Sequence, residues 1–265
     1  MKRLFCYWLC MAFAATTAIK AQVVNIEEQR ITGTSDTVQW YGHVRGSTSF
    51  VKVREQSFQL QSQVKVQYKN DPHLVLLLLN AGFLRAGGND IARQAFAHLR
   101  YNYKLSPTWS WEAFSQIQNS PVQLLQQRHL VGTGLRWRAL KSKNGRQRIY
   151  LGAAWLWEEN FFSGDAPSNS WHRSSNYLSS TFRAGKHAAL IQTTYWQPVI
   201  GNIRNYRLSS EWVLKVDLSK HLSFTVEFDY SVDQNLPDEA PKEFIAWRNG
   251  LTFQFPRHKG DTLRH

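Results

Sequence analysis

Ser115 and His129 are the pair of side chains in this sequence that could form a nucleophile and its base. A histidine within reach of a serine can take the hydroxyl proton and let the oxygen attack an ester carbonyl. The two residues stand on either side of the Ser120–Leu124 loop, on segments that read as adjacent strands. Both occupy odd-numbered positions, so both face the same way. No third side chain is placed to orient the histidine, and one such pair arises easily by chance. Hydrolysis of a lipid ester at the outer leaflet therefore stands as the alternative reading.

Charge offers a second chemistry. Arg100, Glu112, Arg136, Arg138, Glu158, Arg207, Glu211, Lys215, Glu227, Asp229 and Arg248 all fall on the polar side of alternating segments. Facing an enclosed interior, charges of both signs have two outcomes. They line an aqueous path in which the arginines favour anions, or they pair across the space and close it, because an unpaired charge in a confined space is costly. The sequence favours the narrow or plugged interior. Asp90, Glu158, Glu159 and Asp165 bring carboxylates near one end, at a density that reads as solvated, so no cation is assigned to them. No zinc spacing, phosphate-binding glycine loop or dinucleotide fingerprint is present, and neither metal nor cofactor is expected.

The elements that position these residues are strands. Along 247–255, Trp247, Leu251, Phe253 and Phe255 occupy one face, and Arg248, Gly250, Thr252 and Gln254 the other. A period of two is a β-strand. The pattern recurs about twelve times. It is clean in 91–105, in 206–217 and in 222–231. It is ambiguous in 73–83, which is apolar on both faces, and weak in 173–183 and 188–197. Asn70-Asp71-Pro72, Ser106-Pro107 and Asn144-Gly145 mark tight turns after even-numbered strands. Longer connections are expected after odd-numbered strands, at 119–127, 160–171 and 233–243. Phe161, Phe162 and Trp171 on the longest of these are candidates for binding a surface. Tyr101, Tyr103, Trp109, Trp111, Trp137 and Phe255 gather at tight-turn ends, and Trp155 and Trp157 near a long-loop end, as two interfacial girdles do. A soluble β-sandwich also alternates, but its strands average about 5–6 residues, whereas membrane strands need about 9–11. The expected fold is therefore all-β, a transmembrane antiparallel up-and-down barrel of about twelve strands, in the bacterial outer membrane.

Ahead of the strands, Lys2 and Arg3 precede an apolar run from Leu4 to Ala18, with small Ala21 before Gln22. This reads as a signal peptide. The expected organisation is signal peptide 1–21, N-terminal periplasmic segment 22–37, barrel 38–255 and polar tail 256–265. Both cysteines, Cys6 and Cys10, fall in the leader, leaving no disulfide or thiolate chemistry. Without Lys2, Arg3 and Lys20, 29 of the 32 Lys and Arg remain against 19 Asp and Glu. The excess is dispersed and the chain exported. The expected partners are outer-membrane lipid, lipopolysaccharide and the barrel-insertion machinery, with no nucleic acid, and the barrel is expected to be a monomer.

The stretch Val23-Val24-Asn25-Ile26-Glu27-Glu28-Gln29-Arg30-Ile31 is followed by Trp40-Tyr41-Gly42 leading into the first strand. With a short first hairpin and about twelve strands behind it, this resembles the domain-of-unknown-function 481 family of Bacteroidetes-type outer-membrane barrels. Its members are often labelled salt-induced outer membrane proteins. The resemblance implies an outer-membrane barrel tied to osmotic or envelope stress, and it supplies no catalytic residues. Two features depart from it. Val53-Arg54-Glu55-Gln56 stands where members have a glycine- and asparagine-rich hairpin, and ten residues follow Phe255.

Overall fold

The computed structural model describes residues 39–52, 56–86 and 89–255; the segments 1–21, 22–37 and 256–265 lie outside the described residues. Twelve strands follow one another: β1 Gln39–Lys52, β2 Gln56–Asn70, β3 His73–Ala86, β4 Asn89–Lys104, β5 Trp109–Ser120, β6 Leu125–Lys141, β7 Gln147–Phe162, β8 Asn169–Ala184, β9 Ala188–Val199, β10 Asn202–Asp217, β11 Leu222–Asp233 and β12 Glu243–Phe255. Each is antiparallel to its neighbours, and β12 returns to β1, closing the sheet. Closure pairs edge strands that would otherwise be left open in hydrocarbon.

The two faces of the wall differ in kind. Val44, Val64, Leu79, Leu99, Val131, Leu178, Leu214 and Leu251 point outward and are exposed, while Arg45, Lys65, His98, Arg100, Arg128 and Glu158 point inward and are buried. This inverts a soluble protein. It is what a lipid-facing exterior and an enclosed interior require. β3 resolves its ambiguity within this frame. Leu77 and Leu79 face out, whereas Leu76 and Leu78 face in and pack with Phe96 and Leu74, filling the interior beside β3 and β4.

One rim, called near, carries the start of β1, the end of β12 and the connections 71–72, 105–108, 142–146, 185–187 and 218–221. Trp40 and Tyr68, Tyr101 and Trp111, and Trp109 and Trp137 contact one another in pairs there, with ring centroids 4.8, 5.9 and 6.1 Å apart. The far rim carries the connections 121–124, 163–168, 200–201 and 234–242, with the ends of β1 and β3. The expected long connections at 119–127 and 160–171 are corrected by this: the strands run further, because the polar residues near the far rim belong to the inner face of the wall and not to loops. Only 234–242 remains long.

One part of the outer face is polar. Ser180 of β8 donates to Gln192 of β9, Gln192 to Thr194, and Thr194 bonds Ser210 of β10, to which Trp212 Nε1 also donates. These groups meet hydrocarbon, where an unsatisfied polar group costs several kcal/mol. They escape that cost by bonding one another across three strands.

Candidate functional site

The interior is crossed by ion pairs at three heights. Nearest the far rim, Arg128 of β6, Glu158 of β7, Arg173 of β8, Arg207 of β10 and Asp233 of β11 converge. Arg173 Nε donates to Glu158 Oε1 at 2.7 Å, Arg207 Nη2 to Glu158 Oε2 at 3.0 Å, and Arg207 Nε to Asp233 Oδ2 at 3.0 Å. Arg128 Nη2 reaches the same Asp233 oxygen at 3.0 Å and its Nε donates to Asn160. None of these five side chains is more than 6% exposed. Three guanidiniums against two carboxylates leave one positive charge, delocalised over a dense set of charge-assisted bonds. Asn160 and Asn235 both donate to Asn169 Oδ1, at 2.8 and 3.1 Å, tying this layer to the rim. The 234–242 connection folds in above it, burying Leu236 and Ala240 against Leu125 and Phe162.

At mid-height, Arg45 donates to Glu227 and, through Nε, to Thr252 Oγ1 at 2.9 Å. Arg248 Nη2 donates to Glu227 Oε2 at 2.7 Å and to Asp229. Towards the near rim, Glu112 accepts from Arg100 at 3.0 Å, Asn102 at 2.6 Å and the Tyr177 hydroxyl at 2.8 Å. Arg136 lies 3.8 Å from Glu112, with its guanidinium 3.7 Å from the Tyr150 ring centre. Tyr177 reaches Glu112 from three strands away because its ring passes over Gly152. A Cβ at that glycine would come within 2.0 Å of the ring. Gly152→Val is therefore expected to displace Tyr177 and destabilise the barrel by about 1–3 kcal/mol. The check is a lowered urea midpoint, and an unchanged midpoint would count against the packing described here.

Above the mid-height layer, on the β1–β5 side, a cavity of about 640 Å³, counting space open to solvent, is lined by carboxamides and hydroxyls. Gln61, Gln63, Asn80, Gln94 and Gln118 face it, with Arg45, Glu227 and Arg248 also in its lining. Both amide atoms of Asn80 and Nη1 of Arg248 are buried without a hydrogen-bond partner among the described residues.

Ser115 and His129 do lie on neighbouring strands on the outer face, but the register sets Ser115 opposite Val131 and His129 opposite Ile117. The imidazole packs edge-on to Phe161 at 6.1 Å, and no hydrogen bond joins it to Ser115 among the described residues. The structure thus places the two near each other without coupling them. Phe161, Phe162 and Trp171 are not on a loop: the first two end β7 and the third lies in β8. Phe162 is buried inside, so the three do not form one exposed surface. Glu159 is half-buried and Asp165 exposed, the Asp90 side chain lies outside the described residues, and no metal-holding group of His, Cys, Asp or Glu is found among the described residues.

A family model for proteins of unknown function, DUF481, matches residues 32–255, the whole span of the strands. The chain belongs to the DUF481 family. Among curated proteins none matches this DUF481 chain. Among solved structures it is similar to the NanC porin, with 15% identity over 80% of this chain and 98% of that one at a TM-score of 0.49. It is also similar to the KdgM porin, with 9% identity over 82% and 100% at 0.43. A third is the translocator domain of the autotransporter NalP from Neisseria meningitidis, with 9% identity over 87% and 92% at 0.42. The DUF481 chain folds as a closed, twelve-stranded antiparallel β-barrel.

Of the charges picked out in the sequence, the DUF481 barrel brings Glu158 and Arg207 into the far layer, Glu227, Asp229 and Arg248 into the middle one, and Arg100, Glu112 and Arg136 into the near one. Lys215 pairs with Asp217 at 3.5 Å, Glu211 is half-buried opposite Asp229 in the register, and Arg138 makes no ion pair among the described residues. Sequence reasoning passed over Arg45, Arg128, Arg173, Asp233, Tyr177 and Asn80. Arg45 and Arg128 already showed inward parity, and Asp233 continues the parity of Glu227 and Asp229 along β11. Those signals were sufficient to include them.

Proposed function

We propose that this protein is an outer-membrane barrel held shut along its axis by buried ion pairs, a non-enzymatic envelope component that passes small solutes poorly. The contact between Arg128 and Asp233 carries this reading: it joins β6 to β11 through the interior, over a layer whose side chains are almost wholly buried. In this reading the near rim faces the periplasm. The barrel is a monomer, its partners are outer-membrane lipid and lipopolysaccharide, and the insertion machinery acts on it once. Buried pairs are screened by salt far less than exposed ones. Closure is therefore expected to persist as external salt rises, which agrees with the osmotic and envelope-stress role that the family label implies.

Planar-bilayer recording tests this. Between about 0.1 M and about 1 M KCl the screening length falls from ~10 Å to ~3 Å. Wild-type protein is expected to give no stable steps at either concentration. Steps of open-porin size that scale with salt would overturn the reading.

A further inference from the structure

The wall is not sealed equally all round. Among the described residues, β1 and β12 pair through Gly42–Gly46 against Leu251–Phe255, and on the far side the pairing stops at Gly46 and Leu251. Beyond that point the far half of β1, Ser47 to Lys52, pairs with β2, and the far half of β12, Glu243 to Gly250, pairs with β11, with no register between the two strands. Two strand edges therefore face each other unjoined at the height of the membrane, where backbone groups left without partners are costly. The lumen cavity reaches this break: its lining includes Ser47 from one edge and Arg248, Asn249 and Gly250 from the other. Outside the break, Ile245, Trp247 and Leu251 face outward, each more than half exposed, with exposed Asn249 between Trp247 and Leu251.

We propose that this break is a lateral slot through which an amphiphile places its head group in the cavity while its chain stays against β12 in the membrane. The chemistry of the cavity selects the head group. Asn80 offers a donor and an acceptor side by side, both buried and unused, and Arg248 offers one more donor. Carboxamides in this number match the paired donors and acceptors of neighbouring hydroxyls. Arg45 and Arg248 are balanced by Glu227 and Asp229, so the site carries no net charge with which to draw a phosphate or a carboxylate. The head group that fits is a neutral, hydroxyl-rich one, a sugar. This inference does not depend on whether the axis conducts.

The probes are dodecyl maltoside, maltose and dodecylphosphocholine, offered to the full-length barrel folded in a sugar-free amine-oxide detergent, with retention read by native mass spectrometry. One dodecyl maltoside is expected to stay bound per barrel, with maltose and dodecylphosphocholine each retained at least tenfold less. Asn80→Leu removes the unused amide. Gly250→Leu narrows the slot from within, since a Cβ there meets Thr225, Gly46 and Ser47 at 3.5–3.7 Å, ordinary contact distances. Each variant, confirmed folded by its gel mobility before and after heating, is expected to lower retention at least tenfold. Maltose held as well as dodecyl maltoside would show a site fed from water and overturn lateral entry. Equal retention of dodecylphosphocholine, or variants that bind as well as wild type, would overturn the assignment of the head group and its site.

Discussion

Replacing Glu158 by alanine is expected to cost the barrel about 3–5 kcal/mol, the range found when one partner of a buried ion pair is removed. The reason is local. Glu158 is wholly buried and holds Arg173 at 2.7 Å and Arg207 at 3.0 Å, while Arg128 and Arg207 share Asp233. Without Glu158, three guanidiniums in a confined space are left with one carboxylate. The urea midpoint, followed by tryptophan fluorescence, measures the loss. Glu158→Gln is expected to fall between wild type and alanine, because the amide keeps a hydrogen-bond acceptor but not the charge. The double change Glu158→Leu with Arg173→Leu is expected to recover much of the loss, since exchanging a buried pair for apolar groups of similar volume is often nearly neutral. In a bilayer, Glu158→Ala is also expected to admit anions, drawn by the uncompensated arginines. An alanine variant as stable as wild type would show that this layer does not hold the interior closed.

Val64→Arg is expected to cost about 2–4 kcal/mol, the penalty for a cation on the lipid face near the bilayer midplane, whereas Trp40→Arg at the near rim is expected to cost about 0–1 kcal/mol. Val64 lies midway along β2, between Val44 on β1 and Leu79 on β3, and all three side chains are exposed on the outer face. In water the order would reverse: an arginine on an exposed valine site is nearly free, and loss of an interfacial tryptophan is not compensated. Folding yields into vesicles for the two variants decide between these orders. Equal, small effects would place the outer face in water and not in lipid.

How far the sequence could be read depended on where charge and grease were segregated. In β11 the alternation is unbroken, and in β4, β10 and β12 it is interrupted only at single positions such as Phe96, Ser210 and Asn249, so both strand and orientation follow from it. β3 resisted because Leu76 and Leu78 fill the interior while Leu77 and Leu79 meet the membrane, so its two faces carry the same residue type for different reasons. β8 was weak because its inner face is built from Ser175, Tyr177 and Ser179 beside Arg173, and a serine-rich stretch reads as loop. Asn160 and Asn169 looked like connection for the same cause, although both are bonded within the far layer. The pairing itself was beyond reach. Which arginine meets which carboxylate is fixed by how twelve strands stagger on closure. Sequence spacing says nothing of a contact such as Arg128 with Asp233 or Tyr177 with Glu112. The Ser115 and His129 pair failed in the opposite direction: adjacency in the sheet was legible, but the direction in which the imidazole turns was not.

The self-bonded polar row on β8, β9 and β10 gives those strands a second set of ties besides their backbone ladder, while β1 and β12 part on the far side beyond Gly46 and Leu251. The molecule therefore has a latch and a spine. Under tension or partial unfolding it is expected to open first where its first and last strands part.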